Sequence, residues 1–194
     1  MRILNLISTL ALGIAVPSAL AAPLCPAVGV ATDCNIVLTV GADGSLASSA
    51  GASLRSTYDG SEDVIIGVLN NSDSPISSLS LSATGVPIFA FDGDGIDTFG
   101  IVKNPGNPDT TGYGGPNAYF TNVAPNYASG VVNFITPIAP GGGFDFFSLE
   151  EAITFTQIGG STGPSAVPEP STFLLLGTGI AGFVGSLRRR LSAQ

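Results

Sequence analysis

Short apolar runs separated by turn-forming residues are the feature that most limits what this chain can fold into. Between residues 35 and 149 the apolar positions follow the alternating period of strands rather than the period of helices. Most of the 26 glycines and 14 prolines lie between these runs. The sequence therefore predicts an all-β fold, an antiparallel β-sandwich of about 7–9 short strands. The predicted strands span residues 35–40, 63–69, 76–81, 87–91, 117–123, 129–135 and 144–149.

Two further segments between the runs have a predicted structure. Residues 55–61 are expected to add an edge strand, whereas residues 104–116, rich in Gly, Pro and Asn, are expected to form a loop that Tyr113 packs against the domain.

The first 21 residues have the organisation of a signal peptide. Arg2 precedes an apolar stretch, and Ala19-Leu20-Ala21 supplies small residues where a signal peptidase cuts, so we expect cleavage after Ala21. The alternative is an uncleaved N-terminal anchor.

The last 28 residues, 167–194, combine three features. Val167, Pro168, Glu169 and Pro170 form a Pro-Glu-Pro box, residues 171–187 are uncharged and apolar, and Arg188, Arg189 and Arg190 follow. A helix of these 17 residues is roughly 26 Å long, close to the thickness of a hydrocarbon core, so a single transmembrane helix is predicted. The arginines are expected to stop transfer and remain cytoplasmic, which places residues 22–166 outside the inner membrane.

This tail resembles the PEP-CTERM sorting signal of Gram-negative bacteria, in which the same three features follow one another at the C-terminus. The resemblance implies that exosortase, a membrane enzyme, recognises the signal, processes the protein near the box and releases it to the cell surface or extracellular matrix. The alternatives are an ordinary C-terminal anchor and a buried apolar helix.

The segment between the two terminal regions is strongly acidic. All 14 acidic residues lie between Ala22 and Pro170, together with only Arg55 and Lys103 of the six basic residues. Such a surface repels nucleic acid and anionic lipid, and it favours cations as small partners. Residues 22–166 are long enough for one extracytoplasmic domain.

Cys25 and Cys34 are the two cysteines of the chain. In an exported protein they are expected to form a disulfide that closes a short N-terminal loop. A metal site built on them is disfavoured because the chain has no histidine to complete it.

Asp92, Asp94 and Asp97 alternate with glycines in the segment FDGDGID, which is typical of a loop that wraps calcium. The segment lacks the ligands of an EF-hand at positions five and twelve. The competing interpretation is a sharp Asp-Gly turn between two strands. Asp59, Glu62 and Asp63 form a second acidic group, but spacing alone cannot bring the two groups together. Calcium is thus the one cofactor that the sequence suggests.

Residues 58–153 are also similar to segments of uncharacterised β-rich PEP-CTERM substrates, with the succession YDGSED, VLNNS, FDGDGID, APGGG and FSLE. That resemblance carries no known activity. Catalysis has little support because the chain has no histidine. Adjacent Glu150 and Glu151 would point to opposite faces of a strand, so they make no facing acid/base pair. A non-enzymatic protein is expected.

Together these patterns predict a structural protein of the cell surface or of a biofilm matrix rich in exopolysaccharide. It would be anchored in the inner membrane only until exosortase processes it. The alternative function is a calcium-dependent adhesion module that binds a polysaccharide.

Overall fold

A computed structural model describes residues 22–163 of the chain, which form two four-stranded β-sheets. The predicted signal peptide, the Pro-Glu-Pro box, the apolar run and the arginines lie outside the described residues. The elements, in chain order, are β1 (Ile36–Val40), β2 (Leu46–Ala50), β3 (Val64–Asn70), β4 (Ile76–Ala83), a 3-10 helix (Ile96–Phe99), β5 (Ala118–Thr121), β6 (Ser129–Ile138), β7 (Gly143–Leu149) and β8 (Ile158–Thr162). The all-β prediction is confirmed for this part of the chain.

The first sheet has the order β2-β1-β3-β7 and the second has the order β5-β6-β4-β8. All pairs are antiparallel except β1 and β3, which are parallel with Ile36 opposite Ile66. The prediction of a purely antiparallel sandwich is therefore wrong at this pair. The physical reason is that β2 folds back on one edge of β1, and residues 51–63 then carry the chain across to the other edge, where β3 runs in the direction of β1.

The two sheets share one hydrophobic core. Alternate residues of β4 are buried, with Leu79 and Leu81 facing inwards, and a bulge between Ile76 and Ser78 restores the alternation at the start of the strand. Leu38, Ile66 and other residues of the first sheet belong to the same cluster. Because both sheets contribute inward-facing side chains to one cluster, they pack face to face as a sandwich.

A second cluster covers the outer face of the first sheet. Val37 and Ile65, which alternate with the core residues of β1 and β3, pack there with Cys34, Tyr58 and Ile96. The central strands β1 and β3 are consequently buried on both faces, as expected for a strand such as β3 in which nearly every residue is apolar. Cys34, which precedes β1, and Ile96, which follows β4, therefore lie on the same side of the sheet.

Two of the predicted strands do not form, and two of the observed strands were not predicted. Residues 87–91 form turns, with Ile88 and Phe89 buried in the core, because the Ala90 amide bonds the Pro87 carbonyl instead of a neighbouring strand. Residues 55–61 also form turns rather than an edge strand. The strands β2 and β8 were not predicted, since their small and polar residues give no apolar alternation. Within residues 22–163 no helix is both long and apolar enough to cross a membrane.

Candidate metal centre

Carboxylates from three separate segments converge on the hydroxyl of Tyr113, a fully buried residue. The Tyr113 hydroxyl oxygen lies 2.7 Å from both Glu150 Oε2 and Asp94 Oδ1, and 3.2 Å from Asp92 Oδ1. It lies 3.4 and 3.3 Å from the two oxygens of Asp63. One phenol is thus surrounded by four carboxylates.

The β3–β7 ladder explains why two of these carboxylates meet. Asp63 immediately precedes β3 and Glu150 immediately follows β7, and the antiparallel register pairs Val64 with Leu149. The two acidic residues therefore leave the ladder at the same end. Asp63 is fully buried and Glu150 is 6% exposed.

The turn at residues 59–63 brings two more carboxylates to this end of the sheet. Asp59 Oδ1 accepts hydrogen bonds from the Glu62 amide at 3.1 Å and the Asp63 amide at 3.0 Å. Gly60 has φ of 84°, a left-handed conformation that glycine adopts without strain. The closed turn holds Asp59, Glu62 and Asp63 together.

The segment from Asp92 to Asp97 supplies two further carboxylates, those of Asp92 and Asp94. The Asp92 amide donates to Glu150 Oε2 at 3.2 Å, and the Asp94 amide donates to Asp92 Oδ1 at 3.3 Å. A Cβ on Gly95 would collide with the Gly112 carbonyl and would lie 2.6 Å from the Tyr113 ring. Glycine at this position is what lets the acidic segment lie directly against Tyr113.

Residues 104–116 form a loop and Tyr113 is buried against the domain, as the sequence predicted, and contacts within this loop fix the position of Tyr113. Asp109, which is 2% exposed, accepts hydrogen bonds from the amides of Thr111, Gly112 and Gly114 at 3.1–3.2 Å. The Ser148 amide donates to the Tyr113 carbonyl at 2.8 Å, and the Tyr113 ring packs on Phe91 with 4.6 Å between centroids. The hydroxyl is thereby held rigidly at the end of the sheet.

The six carboxylates fall into two groups with the spacing of metal ligands. One group is Asp59, Asp63 and Asp94, and the other is Glu62, Asp92 and Glu150. In each group one oxygen per residue lies within 4.8 Å of the other two. Since calcium–oxygen distances are about 2.3–2.6 Å, a single ion can contact all three oxygens of a group. Each group has one buried member, and its other two members are half-buried or exposed.

The negative charges of the carboxylates in this cluster repel one another. Burial, reinforced by the nearby carboxylates of Glu150, Asp94 and Asp59, raises the pKa of Asp63 to about 8. The neighbouring Tyr58 hydroxyl partly opposes this rise in the pKa of Asp63. That hydroxyl donates a hydrogen bond to Ser148 Oγ at 3.4 Å. Burial also raises the pKa of Glu150. Fully ionised carboxylates in this arrangement need protons or cations to balance them.

Hydrogen bonds favour the ionised form of one exposed member. The pKa of Asp92 is lowered, chiefly by its side-chain and backbone hydrogen bonds with Asp94. The Tyr113 hydroxyl has a raised pKa because it is buried and donates to Glu150. It therefore stays protonated and acts as a donor within the cluster.

Two of the three aspartates predicted to bind calcium, Asp92 and Asp94, lie in these groups. Asp97 does not, since it lies in the 3-10 helix with its Oδ1 buried and without a hydrogen-bond partner among the described residues. Asp59, Glu62 and Asp63, whose position the sequence could not predict, lie in the same cluster as Asp92 and Asp94. Glu150 and Tyr113 were not identified as site residues, and the only signal for Glu150 was an acidic residue directly after an apolar strand.

The predicted disulfide between Cys25 and Cys34 is present, and both cysteines are buried. It belongs to the second cluster, beside Gly67 of β3, where a Cβ would lie 2.6 Å from Cys34 Sγ. The bridge therefore fastens the N-terminal segment to the outer face of the first sheet.

Comparison with known families identifies one match, which lies directly after the sandwich. Residues 166–190 match the PEP-CTERM protein-sorting motif, and these include the predicted box and the three arginines. The chain is therefore a PEP-CTERM sorting domain-containing protein. The motif implies an exported protein that exosortase recognises and processes at the membrane.

The matched segment covers none of the β-sandwich. No curated protein matches the chain significantly, and no solved structure does so either.

Proposed function

We propose that this protein is a structural component of the cell surface or extracellular matrix that exosortase releases after export. The observation that carries the proposal is the sorting motif at residues 166–190, placed immediately after the last described strand. The apolar N-terminal segment cleaved by signal peptidase after Ala21 would start export, and the apolar run at 171–187 would hold the chain in the inner membrane until processing.

The properties of the sandwich support an extracellular structural role. A disulfide fastens its N-terminus, and its core is drawn from both sheets. Its acidic surface disfavours nucleic acid as a partner. We propose no enzymatic activity, because the chain contains no histidine and its buried acidic residues surround a phenol rather than a substrate cleft.

Fractionation of cells with and without exosortase tests this proposal. The chain carries one tag before Val167 and a second tag after Gln194. With the enzyme, the first tag is expected outside the cell, separated from the second. When Pro168, Glu169 and Pro170 are all changed to alanine, both tags should stay together in the inner membrane. Equal release of the alanine variant would refute the sorting role.

A second function, calcium-dependent adhesion to an acidic polysaccharide, is favoured by the carboxylate cluster. Glu62, Asp92 and Asp94 are exposed, so cations held there could be shared with carboxylates of a polymer outside the protein. Binding of the protein to immobilised alginate, as a probe polymer, is expected in millimolar calcium and not in chelator. Equal binding in both conditions would exclude this function.

A further inference from the structure

The cluster around Tyr113 has far fewer hydrogen-bond donors than acceptors. The Tyr113 hydroxyl carries one proton but lies within 3.4 Å of carboxylate oxygens from four residues. The two shortest contacts, at 2.7 Å, are to Glu150 and Asp94. When the hydroxyl donates its proton to Glu150 or Asp94, the other carboxylates receive no hydrogen bond from Tyr113.

Of the four carboxylates around the Tyr113 hydroxyl, that of Asp63 has the longest contacts with it. It is 0% exposed, so water cannot hydrate its carboxylate. Its two oxygens accept from the Tyr113 hydroxyl at 3.3–3.4 Å, longer than the 2.7 Å contacts of that hydroxyl with Glu150 and Asp94, and the neighbouring Tyr58 hydroxyl donates to Ser148 Oγ at 3.4 Å. A buried carboxylate whose one donor is shared with three other carboxylates is strongly destabilised in its charged form unless a cation balances it. This observation is independent of the spacing of the acidic residues.

The same hydroxyl contacts both groups of carboxylates. It contacts Asp63 and Asp94 of the first group, and Asp92 and Glu150 of the second. The groups share no residue, yet each supplies one buried and two more accessible carboxylates. The arrangement is therefore two adjoining sites rather than one large one.

We propose that this end of the sandwich binds two calcium ions side by side. Asp59, Asp63 and Asp94 hold one ion, Glu62, Asp92 and Glu150 hold the other, and the Tyr113 hydroxyl lies between them. Two divalent ions neutralise four of the six carboxylate charges. Water reaches the exposed members and completes the coordination of six to eight oxygens that calcium takes.

The chemistry of the ligands favours calcium over other metals. All six side chains offer hard oxygen donors, and the cluster contains neither imidazole nor thiolate, which zinc and copper prefer. Magnesium requires a regular octahedron and gives up its water reluctantly, whereas calcium accepts irregular sets of carboxylates. Extracellular calcium sites typically have dissociation constants of about 10⁻⁴–10⁻³ M, so the measurements need millimolar calcium.

The adhesion function described above rests on this centre, but the centre itself needs no polysaccharide. Calcium binding by the protein alone therefore tests the centre, and the alginate experiment tests adhesion. Loss of adhesion with two ions still bound would refute only the adhesion function.

Equilibrium dialysis of the full-length chain in mild detergent, after removal of metals by chelation, measures the number of ions. We expect two calcium ions per chain. Asp63→Asn and Glu150→Gln each preserve side-chain shape and should each leave one ion, and the double variant should leave none. Asp73→Asn, at an exposed acidic residue outside both groups, is the matched control and should retain two. Fewer than two ions on the parent chain, or two on either single variant, would overturn the proposal.

Terbium luminescence provides a readout that does not depend on affinity for calcium. The chain has four tyrosines and no tryptophan, so a bound terbium ion is sensitised by a nearby tyrosine. Tyr113→Phe should remove most of the signal, and Tyr127→Phe, at an exposed site, should preserve it. Equal signals from both variants would place the ions away from Tyr113.

Discussion

Asp63 and Glu150 lie next to each other at one end of the β3–β7 ladder, although 86 intervening residues separate them in the chain. Each is buried, and each is the buried member of one carboxylate group. The sheet thus fixes two acidic residues at adjacent positions, and two loops supply the more exposed ligands. A cation held there would join segments that no other described ionic interaction connects.

Calcium should stabilise the folded chain. A ligand that binds only the folded state contributes RT ln(1 + [L]/Kd), which is about 1.4 kcal/mol for one ion at ten times its dissociation constant. The melting temperature should therefore rise by a few degrees in millimolar calcium. Asp92→Asn should diminish this shift, and Asp97→Asn should preserve it, because Asp97 lies in neither carboxylate group. If Asp97→Asn abolishes the shift instead, the ligands are those expected from the sequence.

Much of the sandwich could be predicted because its strands alternate visibly. In β4, the pattern of buried and exposed residues follows directly from ISSLSLSA. By contrast, β8, with the sequence IGGST, has a weak pattern and is held at the edge by its pairing with β4. Such a strand is defined by its neighbour, so the sequence of the strand alone could not predict it.

The candidate site could be predicted only in part, for a related reason. Asp92 and Asp94 were identified from local spacing, since both lie in one loop. The contribution of Glu150 depends on which strand pairs with β3, and that long-range pairing cannot be read from a single sequence. The role of Tyr113 depends on the course of a loop without regular structure.

Without calcium, the stability of the fold should decrease as the pH rises. The folded pKa of Asp63, about 8, lies above its unfolded value of about 4. The folded state therefore binds the proton more tightly, and the resulting stabilisation is complete below about pH 4 and is lost as the pH rises through 8. The raised pKa of Glu150 acts in the same direction.

Urea unfolding in chelator at several pH values between 5 and 9 measures this dependence. Asp63→Asn should flatten it, since the amide does not titrate, and Asp73→Asn should leave it as in the parent chain. Saturating calcium should also flatten it, because the ion balances the ionised carboxylates. A chain whose stability rises with pH in chelator would contradict the prediction.

The disulfide should contribute measurable stability. Closing a short loop restricts the unfolded chain, which in the chain-entropy description stabilises the fold by about 2–3 kcal/mol. Replacing both Cys25 and Cys34 by alanine should lower the free energy of unfolding by about that amount. Reduction of the parent chain should have a similar effect, and reduction should not affect the double variant. Equal stability of oxidised and reduced parent chains would show that the bridge contributes nothing.

The three arginines at the end of the sorting motif should determine where transfer stops. On insertion scales an arginine at the centre of the hydrocarbon core costs about 2.5–3.5 kcal/mol, so Arg188, Arg189 and Arg190 together strongly oppose passage through the membrane. When all three are changed to serine, the apolar run loses its orientation signal, and a tag after Gln194 should become accessible to protease from outside. The alanine variant of the Pro-Glu-Pro box is the matched control, since it retains the arginines and its tag should stay protected. Protection of the tag in the serine variant, together with normal release by exosortase, would show that the arginines are not the stop signal.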